Sequence, residues 1–183
     1  MNSTQRSLDA RSPLVLEVHE LGRRAGAMRA VNRTFPAPAG LGVELIGVPP
    51  GSDIALDVTL ESVIEGVYVS GTADVTLAGE CSRCLTQIED ELSLDLQELY
   101  VYPDREADED AYFVVDELID LEPLIRDAVV LDLPFTPLCR EDCAGLCAEC
   151  GANLNDDPDH GHDEKIDPRW GKLLDIGQGA DTD

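Results

Sequence analysis

Apolar and polar side chains alternate strictly along three successive stretches of this chain. Ile54, Leu56, Val58 and Leu60 alternate with Ala55, Asp57, Thr59 and Glu61. Val67, Val69, Gly71, Ala73, Val75 and Leu77 alternate with Tyr68, Ser70, Thr72, Asp74 and Thr76. Leu92, Leu94 and Leu96 alternate with Ser93, Asp95 and Gln97. A strand turns successive side chains to opposite faces, so this period of two predicts a half-buried antiparallel meander. Its turns are expected near residues 64–66 and 81–86.

Shorter signals flank the meander. LVLEV (14–18) and LGVELIGV (41–48) read as strands, and YFVV (112–115) as a short one. The stretch 20–35 is rich in arginine and holds two glycines, which predicts a loop or a short interrupted helix. PAPAG (36–40) is a break. PDREADEDA (103–111) is a charged loop. From Leu121 the period changes. Leu121, Leu124, Ile125, Ala128, Val129 and Asp132 trace one helical face, with Asp120 as N-cap and Pro123 in the first turn. Pro134 and Pro137 end that helix. A short helix is expected around 168–174 and disorder over the last residues. The expectation is an α+β fold: an antiparallel β-meander sheet covered by a helix, with a cysteine-rich, zinc-binding C-terminal appendage. Its parts are an N-terminal strand and arginine-rich segment (1–40), a sheet-plus-helix core (41–138), a Cys/His-rich appendage (139–176) and a tail (177–183).

Charge narrows the class of partner. The chain of 183 residues carries a formal net charge of −25. Residues 1–36 hold six arginines against three carboxylates, whereas residues 37–183 hold seven basic side chains against 35 acidic ones. So acidic a body repels a phosphate backbone and attracts basic partners. The plain alternative is solubility alone. No run of eighteen apolar residues exists, and no long apolar stretch follows the first arginine. Neither a membrane span nor secretion is expected. A cytoplasmic location, where thiols stay reduced, is the expectation.

In that setting the six cysteines read as metal ligands rather than as a disulfide framework. Cys81-Ser-Arg-Cys84 falls in a hairpin turn, and Cys147-Ala-Glu-Cys150 is followed by Gly151, which can close such a turn. A C-x2-C turn points both sulfurs one way and supplies two of zinc's four tetrahedral ligands. Cys139 and Cys143 are four apart, the spacing of one face of a helical turn. His160-Gly-His162 sets two imidazoles on one side of an extended segment, although a solvated HGH in an acidic loop often binds nothing. Eight ligands in four pairs amount to one or two zinc ions. C-x3-C-x2-C over 143–150 also matches the cluster loop of radical enzymes, but such a loop sits early in a large barrel, and here only 33 residues follow Cys150. No βαβ unit surrounds either C-x2-C, which argues against a thioredoxin-type pair.

CSRC after a long strand, LDLPFTPLC after a helix, CREDCAGLCAECGANLN and then DPRW together resemble the YceD family, the large ribosomal RNA subunit accumulation proteins. HELGRRAGAMRAVNRTFPAPAGLG resembles the N-terminal segment of actinobacterial members. The resemblance implies a bacterial, non-enzymatic ribosome-biogenesis factor, whose gene commonly neighbours that of a small large-subunit ribosomal protein. Short-tailed members lack the Cys147/Cys150 extension, which implies one site from Cys81, Cys84, Cys139 and Cys143 and a second using Cys147 and Cys150. Many members carry C-x-C where this chain has His160-Gly-His162. A pairing of Cys139, Cys143, Cys147 and Cys150 on one zinc remains open at this point.

Three functions compete. A binding factor needs no catalytic constellation, and the sequence shows none; its partner would be a large-subunit precursor, a basic ribosomal protein or ribosomal RNA. A zinc hydrolase needs an open metal position and usually a histidine–carboxylate ligand set, unlike these cysteine-rich quartets. An RNA-binding zinc-ribbon module, protecting ribosomal RNA precursor, is opposed by charge outside residues 1–36. There Arg23, Arg24, Arg29 and Arg33 form the one basic cluster, able to touch RNA or to pair with the chain's own acidic body. His19 and Trp170 are most simply surface and packing residues.

Overall fold

A computed structural model describes residues 8–108 and 110–162. The chain divides into two compact units, Met1–Cys143 and Ala144–Asp183. The expected helix at 168–174 and the tail at 177–183 lie outside the described residues.

The first unit contains nine strands and one α-helix among the described residues: Val15–Glu17 (β1), Met28–Pro36 (β2), Leu41–Gly42 (β3), Ile46–Val48 (β4), Asp53–Ser62 (β5), Gly66–Glu80 (β6), Gln87–Val101 (β7), Tyr112–Phe113 (β8), Leu118–Asp120 (β9) and Glu122–Asp132 (α1). The expected meander is β5, β6 and β7, with its turns where the alternation breaks. β6 is the spine. It pairs with β7 over its full length, from Gly66↔Val101 to Glu80↔Gln87. Its other edge is shared between β5 and β4. β2 extends the sheet beyond β5, β3 pairs with β4, and β8 adds to β7 in parallel. The fold is α+β, a mostly antiparallel sheet with one helix.

One face of the sheet is covered. Ile54, Leu56, Val58, Leu60, Val69, Leu94 and Leu96 turn into a single apolar cluster with Leu124, Ile125 and Val129 of α1. Leu16 and Ile119, from the two-stranded β1–β9 ribbon, join the same cluster. Each such side chain stabilises by roughly 1.5–3 kcal/mol through burial. The buried Tyr100 hydroxyl donates to the Asp120 carbonyl at 2.8 Å and ties the ribbon to β7. Gly71 sits in the middle of β6 with φ +150, and a Cβ there would meet the Asp57 carbonyl oxygen at 2.1 Å. Only glycine allows the strands this approach.

The opposite face is polar and largely exposed among the described residues. Asp53 and Asp57 of β5, Asp74 of β6, and Glu89, Glu91 and Asp95 of β7 are exposed on it. No lysine or arginine occurs anywhere in these three strands.

Several local expectations are corrected. Residues 20–35 are not a loop or interrupted helix throughout: after a 3-10 turn at His19–Leu21, Met28–Pro36 is a strand paired with β5 at nine positions. Its alternation is masked because Arg29 and Arg33 share a side of the strand with buried Val31 and Phe35. Residues 41–48 form two short strands rather than one, closed by a turn in which the Val43 N–H donates to the Ile46 carbonyl at 3.0 Å. β9, three residues long, carries too little pattern to be foreseen. The N-cap of α1 is Leu121, not Asp120. The Asp120 carboxylate still accepts from the Glu122 N–H at 3.0 Å, so it serves the helix from one residue further out.

Candidate metal centres

Cys81 and Cys84 occupy the turn between β6 and β7. The Cys81 N–H donates to the Thr86 carbonyl at 2.8 Å, and the Leu85 N–H donates to the Cys81 carbonyl at 2.9 Å. This fold of the turn requires a left-handed residue after the second cysteine, and Leu85 supplies it at φ 59. The same device recurs in the second unit. The Cys147 N–H donates to the Ala152 carbonyl and the Gly151 N–H to the Cys147 carbonyl, both at 2.8 Å, with Gly151 at φ 75. The two C-x2-C turns, or knuckles, share one design, suited to holding a metal.

The first knuckle is completed by Cys139 and Cys143. They do not lie on a helical turn as their spacing suggested: Pro134 and Pro137 leave the segment after α1 in bends, and the Cys143 N–H turns back to the Arg140 carbonyl at 3.2 Å. The Ser82 N–H and hydroxyl both donate to the Pro137 carbonyl, at 2.9 and 3.0 Å. The Arg83 guanidinium donates to the Cys143 carbonyl at 3.0 Å. The two residues inside C-x2-C thus anchor the partner segment. Sequence reasoning missed them, since nothing in a Ser-Arg pair announces a tie to a backbone some 55 residues away.

The four sulfurs converge. Cys81 Sγ lies 3.7 Å from Cys143 Sγ, and Cys84 Sγ 3.5 Å from Cys139 Sγ. All four ligand atoms fall within 4.8 Å of one another. Tetrahedral zinc with Zn–S bonds of about 2.3 Å needs sulfurs about 3.8 Å apart. The donor set therefore fits the ion. Burial pushes the Cys81 thiol up, but the backbone N–H groups of Cys139, Cys84 and Arg83 outweigh it and lower its pKa to about 6. The Thr86 hydroxyl and N–H hold Cys84 below its ordinary value. The neighbouring Cys84 sulfur, with burial, pushes Cys139 up to about 12. Four thiols this close cannot all ionise by themselves; a cation among them removes the conflict.

The second group is Cys147, Cys150, His160 and His162, again with all ligand atoms within 4.8 Å. Cys147 Sγ lies 3.2 Å from His162 Nε2, Cys150 Sγ 3.1 Å from His160 Nε2, and the two Nε2 atoms 3.0 Å apart. N–H groups of Cys150 and Glu149 lower the Cys147 pKa to about 6. Behind each imidazole stands a carboxylate: Asp157 is 3.7 Å from His160 Nδ1 and Glu149 3.7 Å from His162 Nδ1. Histidine ligands characteristically turn the second ring nitrogen to such a group, which fixes the ring and raises its basicity. Asn153 and Asn155 brace the loop. Asn153 Oδ1 accepts from the Asn155 N–H at 3.0 Å, and Asn155 Oδ1 from the Ala144 N–H at 2.9 Å. The structure thus builds 2 × 4 ligands as Cys81/Cys84/Cys139/Cys143 and Cys147/Cys150/His160/His162, not the four consecutive cysteines together.

The arginine cluster is placed as follows. Arg23 lies 4.2 Å over the Tyr102 ring and pairs with Asp104 at 3.3 Å. Arg29 donates to the Glu17 carbonyl at 2.8 Å and faces Glu20 at 3.7 Å. Arg24 and Arg33 are exposed and form no ion pair among the described residues. No helix among these residues is long and apolar enough to cross a membrane.

The family model described as "Large ribosomal RNA subunit accumulation protein YceD" matches residues 69–177, a span that takes in all eight ligands. An uncharacterized protein of Mycobacterium tuberculosis is 47% identical over 177 residues, 93% of this chain and 85% of the relative. One of Mycobacterium leprae is 46% identical over 179 residues, 95% of this chain and 81% of the relative. The large ribosomal RNA subunit accumulation protein YCED homolog 1, chloroplastic, of Arabidopsis thaliana is 45% identical over 56 residues, 30% of this chain and 17% of the relative. No solved structure matches the chain. The chain belongs to the YceD family of large ribosomal RNA subunit accumulation proteins.

Proposed function

We propose that this chain is a cytoplasmic, non-enzymatic ribosome-biogenesis factor that supports accumulation of large-subunit ribosomal RNA by holding a basic ribosomal protein until it reaches the pre-ribosomal particle. Family membership supports the ribosomal role. The observation that carries the finer reading is the acidic sheet face, on which β5, β6 and β7 expose carboxylates and themselves contain no lysine or arginine. Such a surface steers and solubilises a cationic polypeptide and repels phosphate.

In this reading both centres hold zinc as structural sites. Four protein ligands close each of them, which leaves no open position for a substrate or an activated water. Sulfur and imidazole donors favour zinc over magnesium, calcium or manganese. The zinc ions contribute folding energy, not chemistry.

The test is capture by the full-length chain of purified basic large-subunit proteins, set against purified ribosomal RNA fragments, at near-physiological salt. Protein bound and RNA refused is the expected result. RNA bound tightly with no protein captured overturns the reading. In that case the exposed Arg24 and Arg33 become the contact, and the chain acts as a zinc-ribbon module that protects precursor RNA directly.

A further inference from the structure

We propose that the outer edge of β7, residues 87–99, is the docking site for an extended basic polypeptide that adds to the sheet as a further strand. The proposal rests on the reading that the chain holds a basic protein, and it names the surface that does so.

β7 is fifteen residues long and its inner edge is fully paired with β6. On the outer edge β8 takes only Tyr100 and Val101. From 87 to 99 no strand or loop among the described residues bonds to that edge. Backbone donors and acceptors are therefore left facing out, a template for another strand, although the Glu91 and Leu99 N–H groups already donate to the Asp90 and Glu98 carboxylates at 2.9 Å, bonds that an added strand would replace. Edges are ordinarily guarded by shortness, proline, a bulge, a cover or lysine. β7 is long and contains no proline, glycine, lysine or arginine; α1 packs on its apolar face, where Leu94 and Leu96 are buried, and among the described residues no strand or loop bonds to its edge over 87–99. Its guard is negative charge, five carboxylates in fifteen residues, two of which also cap amides of the edge.

That guard is selective. It repels a second copy of a chain whose net charge is −25, and it repels nucleic acid. It does not repel a basic strand. On the open face, Glu89, Glu91 and Asp95 stand at alternate positions and would lie beside alternate lysines or arginines of the added strand. On the other face, Ile88 and Leu92 are half-buried and would meet the residues in between, if these are apolar. The occupant this edge fits is a segment in which basic and apolar residues alternate. Main-chain bonds give such strand addition its affinity and alternate side chains its specificity.

The experiment uses the full-length chain purified with its metal. The probe is a capped ten-residue peptide alternating lysine and valine. A peptide alternating lysine and proline has the same charge but lacks half the N–H donors. The expected result is salt-sensitive binding of the first peptide, with hydrogen-exchange protection gained at amides within 87–99. The lysine–proline peptide, and the Glu89→Gln/Glu91→Gln/Asp95→Asn variant, should each weaken binding by roughly tenfold. Equal binding of the two peptides, protection elsewhere, no effect of the variant or no peptide binding at all would each overturn the assignment. So would self-association of the parent chain, seen by light scattering together with amide protection gained within 87–99, since the edge would then serve a second copy. Capture of basic ribosomal proteins is measured in parallel. If they bind while β7 stays unprotected, the edge assignment alone falls. If none binds but the peptide still docks on β7, the edge stands and the ribosomal-protein reading falls.

Discussion

Leu85 and Gly151 occupy the same place in the two knuckles, each in the left-handed region one residue after the second cysteine, at φ 59 and φ 75. Both donate their N–H to the carbonyl of the first cysteine. A leucine pays about 1–2 kcal/mol for that conformation, whereas glycine loses roughly 0.5–1 kcal/mol more backbone entropy on folding. The two effects nearly cancel, and the Leu85 side chain is 56% exposed. Leu85→Gly is therefore expected to leave the free energy of unfolding within about 1 kcal/mol of the parent. Gly151→Val, which sets a β-branched residue at positive φ, should lose more than about 1 kcal/mol. Denaturant titration checks both; a large loss in Leu85→Gly would show that the leucine side chain itself holds the first centre.

Cys81 and Cys143 are buried to 0% and 2% exposure in the first centre. Cys81→Ser should remove one metal equivalent and destabilise the first unit strongly, because a structural ion contributes its binding energy to folding. Cys147→Ser should remove one equivalent as well and leave the first unit's melting transition in place. Metal content by mass spectrometry, with thermal unfolding, decides. Stably folded, metal-free parent protein with six free thiols would contradict the structural-zinc reading.

The two centres also differ in access. Cys150 and His162 are exposed in the second, and its described residues include few buried side chains. A strong chelator should strip the second centre first, with a biphasic release of metal. In the Cys147→Ser variant the fast phase should be absent. A single phase in the parent would mean that the centres release together.

The arginines divide by their contacts. Arg29→Ala should cost on the order of 1 kcal/mol, since it removes a charge-assisted bond to the Glu17 carbonyl. The exposed Arg23–Asp104 pair should contribute little. Arg24→Ala with Arg33→Ala should leave stability unchanged. If this arm touches RNA, the double variant should cosediment less with large-subunit precursors and show a shallower salt dependence.

Tyr100→Phe removes the hydroxyl that bonds the Asp120 carbonyl at 2.8 Å. A loss of roughly 1–2 kcal/mol is expected, because the acceptor is left partly buried without its donor. Burial pushes the Tyr100 pKa far up, so the phenol stays protonated and the bond should not respond to pH from 5 to 9. A stability difference between Tyr100→Phe and the parent that varies across this range would contradict that.

The sequence by itself determined the meander, the helix and which cysteines and histidines are candidate ligands. Period-two alternation in β5, β6 and β7 is a local consequence of one buried face, and the helical face of Leu124, Ile125 and Val129 is equally local. Ligand chemistry is written in residue type, and C-x2-C builds its knuckle within one turn. Tertiary structure decided the rest, because it depends on pairs distant in the chain. β2 hides its pattern behind Arg29 and Arg33 and becomes a strand through pairing with β5. Cys139 and Cys143 reach Cys81 and Cys84 by way of the Ser82 and Arg83 bonds to Pro137 and Cys143, not by a helical turn. The acidic open face and the unpaired edge of β7 exist only once three strands lie side by side. Charge summed along a chain has no direction, and folding gives it one.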